Sequence, residues 1–198
     1  MAIVSLFSAS HCHGPEVAQA VREKLGYGLL STEQLLAATS ERFSVSEDKL
    51  NRAMHGPVSV FNRLTHEKEH NLAFLRAALA ELVQQDNLVY HGFAGHLLPK
   101  YLPNVLRVCL VARTDYRASQ AVLVEGIEAA AAEKMILKDD EERKAWTLHL
   151  FGLSPWAKGL YDILLPMDST SVDEAAAIVC ENARKPPVET TPAAQAAM

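Results

Sequence analysis

The 198-residue chain has few cysteines, no long apolar run and no excess of positive charge. Its three cysteines, Cys12, Cys109 and Cys180, are odd in number and far apart, which argues against a disulfide framework. No apolar stretch reaches the roughly 18 residues of a membrane span and no leader-like segment opens the chain, so we expect a cytoplasmic protein without membrane association. The net charge of −5 argues against binding to extended nucleic acid and leaves free nucleotides open.

A strand, a loop and a helix are predicted at the N-terminus. The apolar run Ile3–Phe7 is followed by a polar turn, Ser10–Glu16, and then by Val17, Val21 and Leu25, which fall on one helical face. Such a unit aims backbone N–H groups and the positive end of a helix dipole at one point. This geometry favours a bound phosphate or another anion.

Glycine and lysine are scarce in this loop. A working P-loop has the sequence G-x-x-x-x-G-K-[ST], in which glycines let phosphate approach and lysine neutralises it. Here Gly14 is the one glycine that remains, while His11, Cys12 and His13 stand where glycines are expected. Pro15 occupies the place of the lysine. The loop therefore keeps the predicted geometry and lacks part of the chemistry.

Apolar runs alternate with helix-like segments along the rest of the chain, which predicts a three-layer α/β fold with a mainly parallel, five-stranded sheet. The predicted strands are Ile3–Phe7, which we place at the centre of the sheet, Tyr27–Leu30, Asn87–His91, Val105–Ala112 and Tyr161–Leu165. The fourth run is too continuously apolar for a sheet with one wet face. Helices are therefore expected on both faces.

Helix signals fill the spaces between these strands. The predicted helices open at Ser31, Ser46 and Ser171 and also cover Val58–Gln85, Thr114–Glu133 and Asp139–Phe151, the last two joined around Lys134–Lys138. The proline- and alanine-rich tail at 185–198 is expected to be disordered. The folded domain is thus placed at residues 1–184.

Five segments, taken in chain order, resemble the cytidylate kinase-like branch of the P-loop nucleoside monophosphate kinases. They are Ile3–Gly26, Asn87–Leu98, Pro103–Ala112 followed by Arg117, Asp140–Gly152 and Tyr161–Leu165. The resemblance implies a P-loop nucleoside monophosphate kinase-like fold with a helical lid at about 114–151. It also implies transfer of the terminal phosphoryl group of ATP to a (d)CMP-like acceptor, with Mg²⁺ bridging the phosphates.

Site residues are implied by the same resemblance. Catalysis of phosphoryl transfer depends on positioning and on cations, so Arg117 and Arg143 in the lid are the implied phosphate clamps, with Asp140 holding Arg143. Arg63 and Arg76 are candidates for acceptor binding, although a snorkelling side chain explains Arg76 equally well. The phosphate-binding candidates are Ser10, His11, Cys12, His13, Gly14, Glu16 and Gly92.

Departures from the family pattern predict slow transfer. The loop lacks its cation, and the Gly-Arg-Gly usual after the third strand appears as His91-Gly92-Phe93. Loss of one preorganised donor typically costs about 3 kcal/mol of transition-state stabilisation, so loss of two would leave little activity. Histidine replaces a lysine only when it is protonated.

Two other classes of function stay open. The first is a non-catalytic member of the fold that senses nucleotides or associates with protein, as a homodimer or with an unknown partner. The second is a metal-binding protein, because the ends of the first and third strands would gather His11, Cys12, His13, His91 and His96. Imidazole and thiolate ligands suit Zn²⁺ or Cu²⁺.

Overall fold

A computed structural model describes residues 2–56 and 66–185 and shows a five-stranded parallel sheet. The strands are β1 (Ile3–Ser8), β2 (Gly28–Leu30), β3 (Leu88–His91), β4 (Val105–Val111) and β5 (Ile163–Pro166). They lie in the order β2-β3-β1-β4-β5, and Ile3 faces Leu88 on one side and Val105 on the other. The prediction of a parallel sheet centred on the first strand is confirmed.

Seven helices are present in the described parts of the chain. They are α1 (Gly14–Leu25), α2 (Thr32–Phe43), α3 (Glu47–His55), α4 (Glu67–Val83), α5 (Thr114–Glu125), α6 (Ala129–Phe151) and α7 (Val172–Ala183), with 3₁₀ turns at Phe93–Leu97 and Lys158–Leu160. Capping boxes form at Ser31 and Ser171, as their sequences predict. None of these helices is long and apolar enough to span a bilayer.

Alternating side chains of β1 build the two halves of the core. Ile3 and Phe7 pack with α2, α3, α4 and the buried Trp146 of α6 on one face of the sheet. Val4 and Leu6 pack with α1 and α7 on the other face. The period of two along a strand thus produces the three layers, and it places the end of β1 directly under the loop that leads into α1.

The predicted helix Val58–Gln85 is not continuous, since it is interrupted at His66. The observed helix α4 begins at Glu67, because His66 has a φ of 48° and a left-handed residue ends a helical run. Residues 57–65, which include the acceptor candidate Arg63, lie outside the described residues, as does the predicted tail from residue 186 onward.

The predicted joint around Lys134–Lys138 is also wrong. The chain turns instead at Gly126, which has a φ of 66° and ends α5, and α6 then runs without a break from Ala129 to Phe151. Glycine is the residue that reaches this conformation without strain, whereas Lys-Met-Ile-Leu-Lys contains no helix breaker. The two helices therefore form one hairpin whose turn lies at residues 126–128.

Candidate phosphate-binding site

The loop between β1 and α1 is bent by two histidines. His11 and His13 have φ values of 54° and 55°, in the left-handed region that glycine normally supplies, and Gly14 is the first residue of α1. The first N–H groups of a helix have no partner inside the helix, so those of α1 are available at this turn, apart from Pro15, which has none. Histidines therefore stand at positions whose backbone conformation is typical of glycine.

A cavity of about 320 Å³ lies on this turn. The loop forms its floor, His91 of β3 and Gln120 of α5 form parts of its wall, and Arg143 of α6 closes it. Of the described residues that line it, Arg143 alone carries a permanent positive charge, and Glu16 adds a negative one. The cavity suits an oxyanion by geometry, with little net charge to attract it.

Arg117 does not reach into this cavity. Arg117 is 3% exposed, and its guanidinium donates two hydrogen bonds of 2.8 Å to the Asp140 carboxylate. It also donates to the carbonyl oxygen of Ser10 at 2.9 Å and to the Ser10 hydroxyl at 3.0 Å. The residue predicted to clamp phosphate therefore pins the loop to α5 and α6.

Asp140 holds a different arginine from the one expected. The sequence resemblance implied a pair with Arg143, but Asp140 binds Arg117 bidentately. Arg143 donates instead to the carbonyl oxygens of Ser8 at 2.8 Å and Asp139 at 2.9 Å. Two carbonyl oxygens hold Arg143 in place, and the carboxylate of Asp140 binds the neighbouring helix through Arg117.

The side chain of Arg143 is held between the loop and the core. Its guanidinium lies over the ring of Phe93, 5.4 Å from the ring centre. Burial lowers the pKa of Arg143, and the neighbouring Asp139 partly offsets this effect. An arginine remains charged under such a shift, so a preorganised cation stands at the cavity.

His91 and Ser8 form a pair under the start of α1. The Ser8 Oγ and His91 Nε2 atoms are 2.9 Å apart. Burial and the nearby Arg143 lower the pKa of His91 to about 4, so the imidazole is neutral at pH 7. A Cβ atom on Gly14 would lie 2.5 Å from both atoms, so only glycine fits above the pair.

The hairpin of α5 and α6 touches the loop in a second place. His13 Nε2 lies 3.0 Å from the hydroxyl of Tyr116 on α5, and His13 Nδ1 lies 3.9 Å from the Glu16 carboxylate. Together with Arg117, these contacts fasten the first turn of α5 to the loop.

The predicted metal ligands do not come together. No group of three metal-binding side chains exists among residues 2–56 and 66–185. Cys12 is fully buried in the core beside α1 and does not line the cavity, and burial raises its pKa to about 11, so without a metal it is a thiol. His13 faces Tyr116 and His91 faces Ser8. Adjacent residues of the turn point in different directions, and the prediction of a Zn²⁺ or Cu²⁺ site is not supported.

Three further candidates lie apart from the loop cavity or contribute little to it. Gly92, with a φ of 146°, packs against Thr32 and Tyr90, where a Cβ would lie 2.5 Å from the Thr32 hydroxyl. Arg76 is exposed on α4. Glu16 lines the cavity, and its negative charge opposes an anion there.

Sequence reasoning missed Ser8, Tyr116 and Gln120. The only signal for Ser8 was its place at the end of the central strand, where side chains of parallel sheets meet a ligand. Tyr116 and Gln120 could be found only from the relative rotation of α5 and the loop, which no local pattern specifies.

A second cavity, of about 420 Å³, lies between α2 and α3. Carboxylates of Glu33, Glu47 and Asp48 line it, together with His55 and Phe93. Phe93 separates it from Arg143 and hence from the first cavity. Its negative lining disfavours an anionic ligand at this place.

Solved structures share this fold. An uncharacterized protein from Eubacterium ventriosum superposes with a TM-score of 0.70 at 18% identity, covering 92% of this chain and 97% of its own. Shikimate kinase from Bacteroides thetaiotaomicron has a TM-score of 0.52 at 12% identity, with 91% and 97% coverage. Shikimate kinase from Acinetobacter baumannii in complex with shikimate has a TM-score of 0.51 at 11% identity, with 93% and 96% coverage.

These likenesses and the strand order define a P-loop nucleoside monophosphate kinase-like fold. Residues 3–169 match the cytidylate kinase-like family, and the chain belongs to that family. No match to the chain is found among curated proteins.

Proposed function

We propose that the protein binds a nucleotide or another phosphate compound at the Ser10–Glu16 turn and transfers phosphoryl groups much more slowly than a member of the family with an intact loop. The observation that carries the proposal is the cavity formed by this turn, the start of α1 and Arg143. Binding an oxyanion requires N–H groups and one cation, which are present. Rapid transfer requires additional cations placed on transition-state charge.

The substituted loop is the reason for the slow rate. Pro15 supplies neither an N–H group nor a charge, and Arg117 is neutralised by Asp140. ATP and Mg²⁺ are the donor and the metal that the family suggests. Mg²⁺ favours oxygen ligands, and Glu16 is the carboxylate of the turn that could hold it.

The acceptor is proposed to be (d)CMP-like on family grounds, with Arg63 and Arg76 as the implied contacts. One observation favours the non-catalytic alternative instead. The second cavity, between α2 and α3, is lined by the carboxylates of Glu33, Glu47 and Asp48, which would repel a nucleoside monophosphate placed there. A nucleotide sensor, which needs no acceptor site, is consistent with that lining.

The test compares the native chain with the triple variant His11→Gly, His13→Gly and Pro15→Lys. Both histidines already have the backbone angles of glycine, so this change is expected to fold. Affinity for ATP is measured by calorimetric titration, and transfer is measured by turnover with Mg-ATP and either CMP or dCMP. We expect weak native binding and an increase in turnover of about 100-fold or more in the variant.

Matched arginine variants locate the site. Arg143→Ala should abolish nucleotide binding, whereas Arg22→Ala, an exposed arginine near the other end of α1, should leave it unchanged. Rapid turnover by the native chain would refute the impaired loop. Absence of nucleotide binding in both the native chain and the triple variant would refute the site, and binding without transfer in both would favour the sensor.

A further inference from the structure

We propose that His91 is the second cation of this phosphate site and that an oxyanion enters the cavity together with a proton that His91 takes up. This inference rests on the proposed function, since it concerns the same cavity. His91 would supply the positive charge that a lysine supplies in a working P-loop, where this chain has Pro15.

The position of His91 is the first support. It lines the cavity from the end of β3, and its Nε2 atom lies 2.9 Å from the Ser8 Oγ atom. Gly14 leaves no side chain between this pair and the turn, since a Cβ there would lie 2.5 Å from the His91 Nε2 atom. The imidazole therefore lies against Gly14, the first residue of the helix whose N–H groups would hold an oxyanion.

Hydrogen-bond chemistry is the second support. In either neutral tautomer, one of the two side chains donates across the 2.9 Å contact. Once His91 is protonated, its Nε2 must donate to Ser8, and the Ser8 hydroxyl can then donate its own hydrogen to a ligand oxygen. One proton thus supplies both a positive charge and a correctly directed donor.

The charges around His91 set the direction of the coupling. Burial lowers the pKa of His91 to about 4 when no ligand is bound. Arg143 from α6 disfavours the protonated ring, and Glu16 from α1 favours it. Ser8 from β1 and Gly14 from α1 are its uncharged neighbours. A dianion in the cavity would compensate Arg143 and stabilise the imidazolium, so the pKa of His91 would rise on binding. Affinity should therefore increase as the pH falls.

Inorganic sulfate is the probe, because it keeps two charges across the pH range in which histidine titrates. Its affinity is measured by calorimetric titration from about pH 8 to about pH 5 at constant ionic strength, in buffers with different heats of ionisation. We expect affinity to rise by up to about tenfold per pH unit, with uptake of about one proton per sulfate.

Histidine variants assign the proton. His91→Gln should remove the pH dependence of sulfate affinity. His11→Asn and His13→Asn should retain the dependence, since asparagine accepts their left-handed backbone. His70→Gln is the matched control, because His70 is exposed on α4, outside the cavity. Nuclear magnetic resonance of the native histidine rings, with and without sulfate, reads the pKa of His91 directly and does not depend on the folding of any variant.

The outcomes separate the two proposals. Sulfate binding that does not depend on pH, or a dependence lost in His13→Asn and retained in His91→Gln, overturns the role of His91 and leaves the phosphate site standing. Failure of sulfate to bind at any pH overturns the role of His91 as well. If ATP also fails to bind the native chain and the loop variant, the proposed function falls with it.

Discussion

Arg117 shows how the role of a residue depends on its partner. An arginine with free N–H donors can clamp phosphate. Arg117 instead donates to Asp140 and Ser10, and its side chain is 3% exposed. The charge remains but is already neutralised, so the residue acts on the loop and not on a ligand. Arg143 has its Nε and Nη1 atoms bonded to carbonyl oxygens and keeps its charge for the cavity.

Removal of Asp140 should destabilise the protein strongly. In Asp140→Ala the buried guanidinium of Arg117 loses its counterion, and we expect the free energy of unfolding to fall by about 3 kcal/mol. The partial exposure of Asp140, 25%, keeps the loss from being larger. Urea denaturation measures it.

The control for this variant is Glu141→Ala, which removes an exposed ion pair with Lys144 on the same helix and should cost less than about 0.5 kcal/mol. The double variant Arg117→Met, Asp140→Leu should recover part of the stability, because both charges are then absent. Equal losses in Asp140→Ala and Glu141→Ala would contradict the structural role of the pair.

At the scale of elements, the helix α6 has two differently supported halves. Trp146 is 1% exposed, and its Nε1–H donates to His96 Nδ1 at 3.1 Å. The other His96 nitrogen lies 3.2 Å from the Tyr161 hydroxyl, which donates to the carbonyl oxygen of Pro155 at 2.7 Å. This chain of hydrogen bonds ties the C-terminal half of α6 to the core, and α6 also packs on α5.

We therefore propose a lid narrower than the expected 114–151. Hydrogen exchange should be rapid at about 120–138 without ligand and should slow with saturating ATP, because closure protects these amides. Amides at 143–151 should be protected in both states. Trp146→Phe removes the donor to His96 and should extend rapid exchange into that half. Identical exchange with and without nucleotide would argue against any lid.

The sequence predicted elements better than the contacts between them. Runs such as Val105–Ala112 indicate buried strands, and the order of strands and helices predicted the sheet together with the family resemblance. The turn at Gly126 was missed, because the joint between the two helices was placed around Lys134–Lys138. The partner of Asp140 could not be predicted, since it depends on the rotation of α5 against α6. The left-handed backbone of His11 and His13 was not predicted, although both stand where loop glycines are expected, because residues other than glycine rarely adopt it.

For the molecule as a whole, two buried histidines link stability to pH. Burial lowers the pKa of both His91 and His96 to about 4, against about 6.5 in an unfolded chain. Between these values the unfolded chain binds more protons than the folded one, so their contribution is complete above about pH 6.5 and is lost as the pH falls toward 4. Each histidine contributes a slope of at most about 1.4 kcal/mol per pH unit.

We expect urea denaturation at about pH 7, 6 and 5, the range in which histidine titrates, to show that the free energy of unfolding falls as the pH falls. The fall should be smaller in His96→Gln and in His91→Gln, whereas His70→Gln, exposed on α4, should follow the native chain. Sulfate should reduce the native loss near pH 5, since an occupied cavity lets folded His91 keep its proton, and it should do so less in His91→Gln. If the free energy of unfolding still falls with pH in both His91→Gln and His96→Gln, other groups carry the pH dependence. If sulfate has the same effect on the native protein and on His91→Gln, sulfate binding is not coupled to protonation of His91.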